Sequence, residues 1–210
     1  MEDEGLDERA AAEATIRDNI YGLELDPRCT QIAAFALAFA AWKAAGYRQL
    51  PALNIACSGI PVQGQLADWL TLAGEDKRLS FALEQMYQLF KNAPDLGSLI
   101  NPAELPLRDR MFTADYNEVE PLLARALSRE RRDPAADVFG AAAEGVAKAA
   151  RLLAGKYTLV ATNVPFLGQS KQAEVLKGYS ATNYSNARAD LATVFISRSR
   201  SMTVNGGTYS

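Results

Sequence analysis

An amide, a stiff turn and an aromatic ring stand in a row at Asn163-Val164-Pro165-Phe166, inside the stretch Thr162 to Gly168. They follow the apolar run Tyr157-Thr158-Leu159-Val160-Ala161, which reads as a buried strand of a parallel sheet. The carboxyl end of such a strand borders the crevice where open α/β sheets hold ligands. There the Asn163 side-chain oxygen and a backbone carbonyl would accept from an NH₂ group. The Phe166 ring would stack on a flat base, worth roughly 1–3 kcal/mol. The chemistry indicated is the holding of a planar, amine-bearing group. The alternative is an ordinary strand-to-loop turn with a core Phe.

A second segment, Asn19 to Pro27, reads as a short strand running into a helix. Asp26 suits the N-cap and Pro27 the first helical position, where its missing N–H costs nothing. The helix carries Ile32, Phe35, Ala36, Phe39 and Trp42 on an apolar face and stops at Gly46. An acid ending the second strand of a nucleotide-binding sheet accepts hydrogen bonds from a ribose, and Glu24 stands there. A third strand, Leu53 to Cys57, leaves through Ser58-Gly59. Cys57 reads as a small buried apolar residue, not a nucleophile.

Together these segments resemble S-adenosylmethionine-dependent methyltransferases. Asn163-Val164-Pro165-Phe166 resembles the Asn/Asp-Pro-Pro-Tyr/Phe motif of enzymes acting on exocyclic or amide nitrogens, with Val164 in place of the first Pro. The family uses that residue through its backbone carbonyl, which Val also supplies. Gly22-Leu23-Glu24-Leu25-Asp26-Pro27 resembles the Gly-x-Glu-x-Asp-Pro motif of the DNA enzymes. The resemblance implies that Glu24 takes the ribose hydroxyls, Leu25 packs near the adenine ring and Asp26 caps the helix. Where the family often has an Asp that accepts from the cofactor's adenine amine, this chain has Ser58, whose hydroxyl would replace it. The implied activity is transfer of a methyl group to adenine N6 in DNA. A flipped base would stack on Phe166, with its amine donated to Asn163 and the Val164 carbonyl.

The implied fold is α/β: a Rossmann-like S-adenosylmethionine methyltransferase fold, incomplete, with a large helical insertion. Residues 1–59 would be the N-terminal part of the core, 60–155 the insertion and 156–210 the C-terminal part. No glycine-rich cofactor loop is legible in Met1–Asp18, which is acidic, Ala-rich and helical in pattern. Leu191–Met202 reads as a helix, and Asn205 to Tyr209 as a turn entering a strand. The resemblance therefore implies an internal fragment that lacks its first strand and is inactive alone. In the family that strand lies between the second and the fourth. Without it, the strands at 19–25 and 157–162 must pair directly or leave open edges.

Within the insertion the pattern gives helices at 63–72, 79–92, 114–131 and 134–153, with Leu83, Met86, Tyr87 and Phe90 on one face of the second. Phe81, Tyr87 and Phe90 read as core. Residues 141–150 should cover the sheet. Such inserted helices resemble the long single-chain methyltransferases of restriction and phage-exclusion systems. After the motif, Tyr179, Asn183 and Tyr184 fall in a polar loop able to close over a base, or simply to lie on the surface. Arg125, Arg129, Arg131 and Arg132, and likewise Arg198 and Arg200, read as solvated helix ends.

Composition narrows the partners. The 210 residues include 22 basic and 25 acidic side chains, a formal charge of −3. A protein gripping duplex DNA alone would show a basic surface. DNA recognition is thus implied to lie in a region outside this chain. There is no His, which excludes histidine bases and ligands, and no metal site is expected. Two cysteines form no disulfide framework. With no signal peptide and no run of 18 apolar residues, the chain reads as cytoplasmic, without membrane partners. Two competing classes remain: a dinucleotide-binding oxidoreductase using Glu24, and a catalytically inactive remnant or interaction module. Protein- and RNA-directed N-methyltransferases share the first motif.

Overall fold

A computed structural model describes residues 5–104, 119, 121 and 134–210. Helix α1 (Glu8–Ala14) is capped by Asp7 and continues as a π-helical turn, Thr15–Asn19. Strand β1 (Tyr21–Glu24) feeds helix α2 (Pro27–Ala45), whose N-cap is Asp26 and whose C-cap is Gly46 at φ +80°. Strand β2 is Asn54–Cys57. A helical stretch follows: α3 (Leu66–Thr71), α4 (Lys77–Phe90), the short α5 (Ala93–Leu96) and, further along, α6 (Pro134–Ala154). The chain closes with β3 (Tyr157–Val160), α7 (Glu174–Asn183), α8 (Leu191–Met202) and β4 (Thr203–Tyr209).

The structure is thus mixed helix and sheet. Its strands form two separate parallel pairs, β1 with β2 and β3 with β4. β1 and β3 do not pair; of the two outcomes foreseen, the open edges are what the structure shows. Residues 5–18 contain no strand, only α1 and the π-helical turn.

The core is helical. Trp69, Leu83, Met86 and Phe90 are fully buried, with Val146, Ala147 and Ala150 of α6 against them. α4 shows why: its buried positions Leu79, Ala82, Leu83, Met86 and Phe90 recur at three- and four-residue spacing. The same cluster takes in Ala56 of β2, Leu176 of α7 and Leu191 and Val194 of α8, so the helices between β2 and β3 and the strand-bearing segments share one interior. Arg151 of α6 reaches Asn54 of β2 at 3.3 Å. Cys57 is buried, its thiol 3.2 Å from the Leu25 carbonyl. The expected helix at 114–131 and Arg125, Arg129, Arg131 and Arg132 lie outside the described residues. Among those described, no helix is long and apolar enough to cross a membrane.

Two expectations about faces are corrected. Ile32, Phe35 and Phe39 of α2 point outward, with Phe35 66% exposed, and Ala41 is the buried residue. The less exposed side of the helix carries Ala33, Ala34, Leu37, Ala38 and Ala41, whose mostly small side chains let it lie close to the strands, while Ile32, Phe35 and Phe39 are left out. β3 is not a buried strand: Leu159 is 63% exposed, because β3 has a neighbour on one edge only.

Candidate active site

Between the two sheets lies a cleft of about 710 Å³. β1 borders it through Tyr21, Gly22 and Leu23, and β3 with its exit through Tyr157 to Thr162. The Tyr21 and Tyr157 rings, on the first residues of the two strands, approach to 5.1 Å. The strands therefore start side by side. Glu24 and Asn163 are each the next residue after the last one lining the cleft, Leu23 and Thr162 respectively. Neither lines it.

At the β1 end, Glu24 Oε1 accepts from the backbone N–H of Leu25 at 2.7 Å and of Asp26 at 3.2 Å. This folds the carboxylate over the turn and leaves its second oxygen without a partner among the described residues. Asp26 accepts from Arg28 N at 2.8 Å and pairs with the Arg28 guanidinium at 2.6 Å. The guanidinium hydrogen bond, more than the backbone one, lowers the Asp26 pKa to about 2. Asp26 is thus a cap, as its place before Pro27 predicts. Leu25 is half exposed, and its Cδ1 lies where a Cβ on Gly97 would come within 2.8 Å.

Ser58 sits differently from a ligand contact. It is 1% exposed, and its backbone N–H and hydroxyl both donate to the Glu24 carbonyl, at 2.7 and 3.3 Å. It extends the β1–β2 pairing by one residue and fixes the strand end that carries Glu24.

At the β3 end the Asn-Val-Pro-Phe segment is held at both sides. Thr162 N donates to Ser210 O at 3.0 Å. Leu167 O accepts from Leu191 N and from Gln172 Nε2, each at 3.0 Å. Between these anchors, the Asn163 amide and the Val164 carbonyl have no hydrogen-bond partner among the described residues. Phe166 is 89% exposed, so the core-Phe alternative is set aside. Pro165 stiffens the turn between the amide and the ring.

Two groups of residues behave otherwise than predicted. Tyr179 and Asn183 lie in α7 and Tyr184 caps it, so they form no polar loop. The hydroxyls of Tyr179 and Tyr184 both donate to Leu99 O, at 3.1 and 2.9 Å. Arg198 is no solvated helix end but 3% exposed. Its guanidinium donates to the carbonyls of Ser98 (3.0 Å), Ile100 (2.8 Å) and Leu153 (2.7 Å) beside the cleft. Arg200, two residues on, is exposed. Gln172 is a further residue that sequence reasoning missed. It is buried and holds the Leu167 carbonyl just past the motif.

Comparison with known proteins places this arrangement in a class. The chain belongs to the Eco57I restriction-modification methylase family, which it matches over residues 18–210. It is similar to the adenine-specific methyltransferase PglX of Lacticaseibacillus casei (strain Zhang), with 24% identity over 224 residues, covering 98% of this chain and 17% of that protein. It is also similar to the adenine-specific methyltransferase BrxX of Escherichia coli O9:H4 (strain HS), with 24% identity over 231 residues, 98% of this chain and 18% of that protein. The chain thus spans less than a fifth of the length of these relatives.

Proposed function

We propose that the chain is part of a site-specific DNA methyltransferase that transfers a methyl group from S-adenosylmethionine to adenine N6, in restriction–modification or phage defence, on a Rossmann-like methyltransferase fold. The observation carrying this reading is the free amide of Asn163 beside the exposed Phe166 ring, at the end of a strand that shares a cleft with the strand ending in Glu24.

The residues at the β1 end fit the cofactor. One Glu24 oxygen is fixed by two backbone donors and the other is open to a ribose hydroxyl. Leu25 offers apolar surface next to it. Ser58 contributes by fixing the Glu24 backbone. When bound, S-adenosylmethionine supplies a methyl group on a sulfonium, electrophilic without further activation.

At the β3 end, a base flipped out of the duplex stacks on Phe166. The Asn163 side-chain oxygen and the Val164 carbonyl accept from its amine and orient the nitrogen. As positive charge develops on that nitrogen, the same two oxygens stabilise it. Pro165 keeps amide and ring in register. Catalysis rests on positioning and electrostatics, with no histidine base. Duplex recognition belongs to polypeptide outside these 210 residues. The chain alone is expected to bind S-adenosylmethionine weakly at best, by calorimetry, and to be inactive.

The test is expression of the complete reading frame that carries this chain, in cells lacking adenine methylation, followed by single-molecule sequencing of their DNA. Motif-specific N6-methyladenine is expected, lost in Asn163→Ala. Methylation persisting in that variant removes the amide from the mechanism. Methylation found only on RNA or protein keeps the amide and replaces the substrate.

A further inference from the structure

We infer that Tyr179 and Tyr184 are positioning residues for the cofactor end of the site. Through the Leu99 carbonyl they hold residues 97–101 as a strap against Leu25, and so fix the side chain proposed to meet the adenine ring. The inference rests on the methyl-transfer reading for the identity of the ligand, but not for the contact itself.

The main chain and the side chain of Leu25 are held from different directions. Its carbonyl accepts from the Cys57 thiol at 3.2 Å, and the Glu24 carbonyl before it accepts from Ser58 N at 2.7 Å. The exit of β2 thus fixes the main chain. The side chain lies in a notch between two glycines. A Cβ on Gly59 would run into the Leu25 carbonyl oxygen and lie 2.8 Å from Leu25 Cδ1. A Cβ on Gly97 would also lie 2.8 Å from Cδ1, and 3.6 Å from the Ser58 hydroxyl. Neither position has room for a side chain with Leu25 where it is. Gly97 also has φ +50°, which glycine adopts readily. The notch takes one side of Leu25, and half of its surface stays exposed.

Gly59 comes with the exit of β2, but Gly97 arrives from the helices, at the start of the 3₁₀ turn Gly97–Leu99 behind α5. It is held there by later parts of the chain. Ser98 O and Ile100 O accept from Arg198 of α8. Leu99 O, between them, accepts from the hydroxyls of Tyr179 (3.1 Å) and Tyr184 (2.9 Å). The Tyr179 hydroxyl also accepts from Asn101 N at 3.3 Å. Two donors use both lone pairs of the Leu99 carbonyl. Leu99 is 1% exposed, so bulk water does not replace a hydroxyl that is removed. A half-exposed leucine free to turn is immobilised when a ligand packs on it, and that lost freedom weakens binding. The strap immobilises Leu25 beforehand.

The experiment is a double-mutant cycle in the methyltransferase expressed from the complete reading frame, with S-adenosylmethionine as the varied substrate. Tyr179→Phe/Tyr184→Phe is expected to raise the S-adenosylmethionine KM about fourfold, with kcat within about twofold of the parent. In a Leu25→Ala background no isobutyl group is left to position, and the same pair is expected to change KM by less than about 1.5-fold. An equal factor in both backgrounds overturns the inference, as does a fall in kcat at unchanged KM. Tyr184→Phe alone, which leaves Tyr179 on the Leu99 carbonyl, goes through the same cycle if the double variant does not fold. Methyl NMR of the 210-residue chain without ligand separates this result from the methyl-transfer reading. The two Leu25 methyl carbon shifts, distinct in the parent, are expected to converge in the tyrosine variants, while those of Leu83 in the core stay unchanged. Unmoved Leu25 methyls overturn the inference even where the cofactor binds. Converging methyls in a protein without S-adenosylmethionine-dependent activity leave the positioning of Leu25 standing and overturn the methyl-transfer reading alone.

Discussion

Phe90 and Leu159 are both large apolar side chains in regular elements. The first is fully buried in the helical core; the second stands 63% exposed on the edge of a two-stranded sheet. The helical layer closes on itself, with α3, α4 and α6 supplying one another's neighbours. The β3–β4 pair and the outer side of α2 do not, and Leu159, Phe35 and Phe39 stay exposed there, whereas Ala56 of β2 joins the core. Stability therefore comes mainly from the helices, while the residues proposed to form the site sit at the ends of the two-stranded sheets.

Substitution at these two positions tests that contrast most strongly. Phe90→Ala empties a site with no solvent contact and is expected to cost about 3–5 kcal/mol in urea unfolding. Leu159→Ala is expected to stay within about 0.5 kcal/mol. Equal costs would mean that β3 is covered in solution, and the contrast would collapse.

Arg198 sharpens the comparison from the other side, because it fastens the helical core to the rim of the cleft. Arg198→Met keeps the volume but leaves the Ser98, Ile100 and Leu153 carbonyls without their donor. A loss of about 3 kcal/mol is expected, since hydrogen bonds to charged groups contribute about 1.5–3 kcal/mol each before relaxation. An unchanged urea midpoint would show that water replaces the guanidinium.

Arg198 also marks where the sequence stops being legible. Asp26-Pro27 and Gly46 declare the ends of α2 through local chemistry, and the structure keeps both. The positions of Leu83, Met86 and Phe90 follow from helical periodicity alone. The burial of Arg198 depends on carbonyls about 45 and 100 residues earlier, and nothing in Ser-Arg-Ser-Arg distinguishes it from Arg200. α2 misled for a related reason. It has an aromatic side and an alanine side, both apolar, and only the tertiary neighbour decides which turns inward. Glu24 and Asn163 were legible as strand ends. The width of the gap between their strands was not, because it depends on what does not pair.

Gly207 probes the sheet side directly. A Cβ there would lie 2.7 Å from the Thr158 carbonyl oxygen and 2.7 Å from Thr203 Cγ2. The carbonyl cannot yield without parting β3 from β4. Gly207→Ala is expected to cost about 1–3 kcal/mol and to speed exchange of the Thr162 and Ser210 amides, leaving the α4 amides unchanged. Faster exchange in α4 as well would make the second sheet a support of the core, contrary to the contrast drawn above.

The smallest effect is expected at the β1 end. Arg28 holds the Asp26 pKa down at about 2, from an ordinary 3.8. A carboxyl whose pKa is depressed by folding stabilises the folded state above its unfolded value. That contribution is lost as pH falls through the folded value, here between about pH 4 and 2. Asp26 is partly exposed and its Arg28 partner lies in solvent, so the contribution is modest and weakens with salt. NMR titration of the carboxyl should give a midpoint near 2, and the Arg28 amide should shift with it. Asp26→Asn should abolish that titration while leaving the cap oxygen in place. Because Glu24 Oε1 accepts from the Asp26 amide, loosening this cap also loosens the carboxylate proposed to meet the ribose. A midpoint at 3.8 would mean that the turn is not held in solution, and that Glu24 lacks the backbone clamp its role requires.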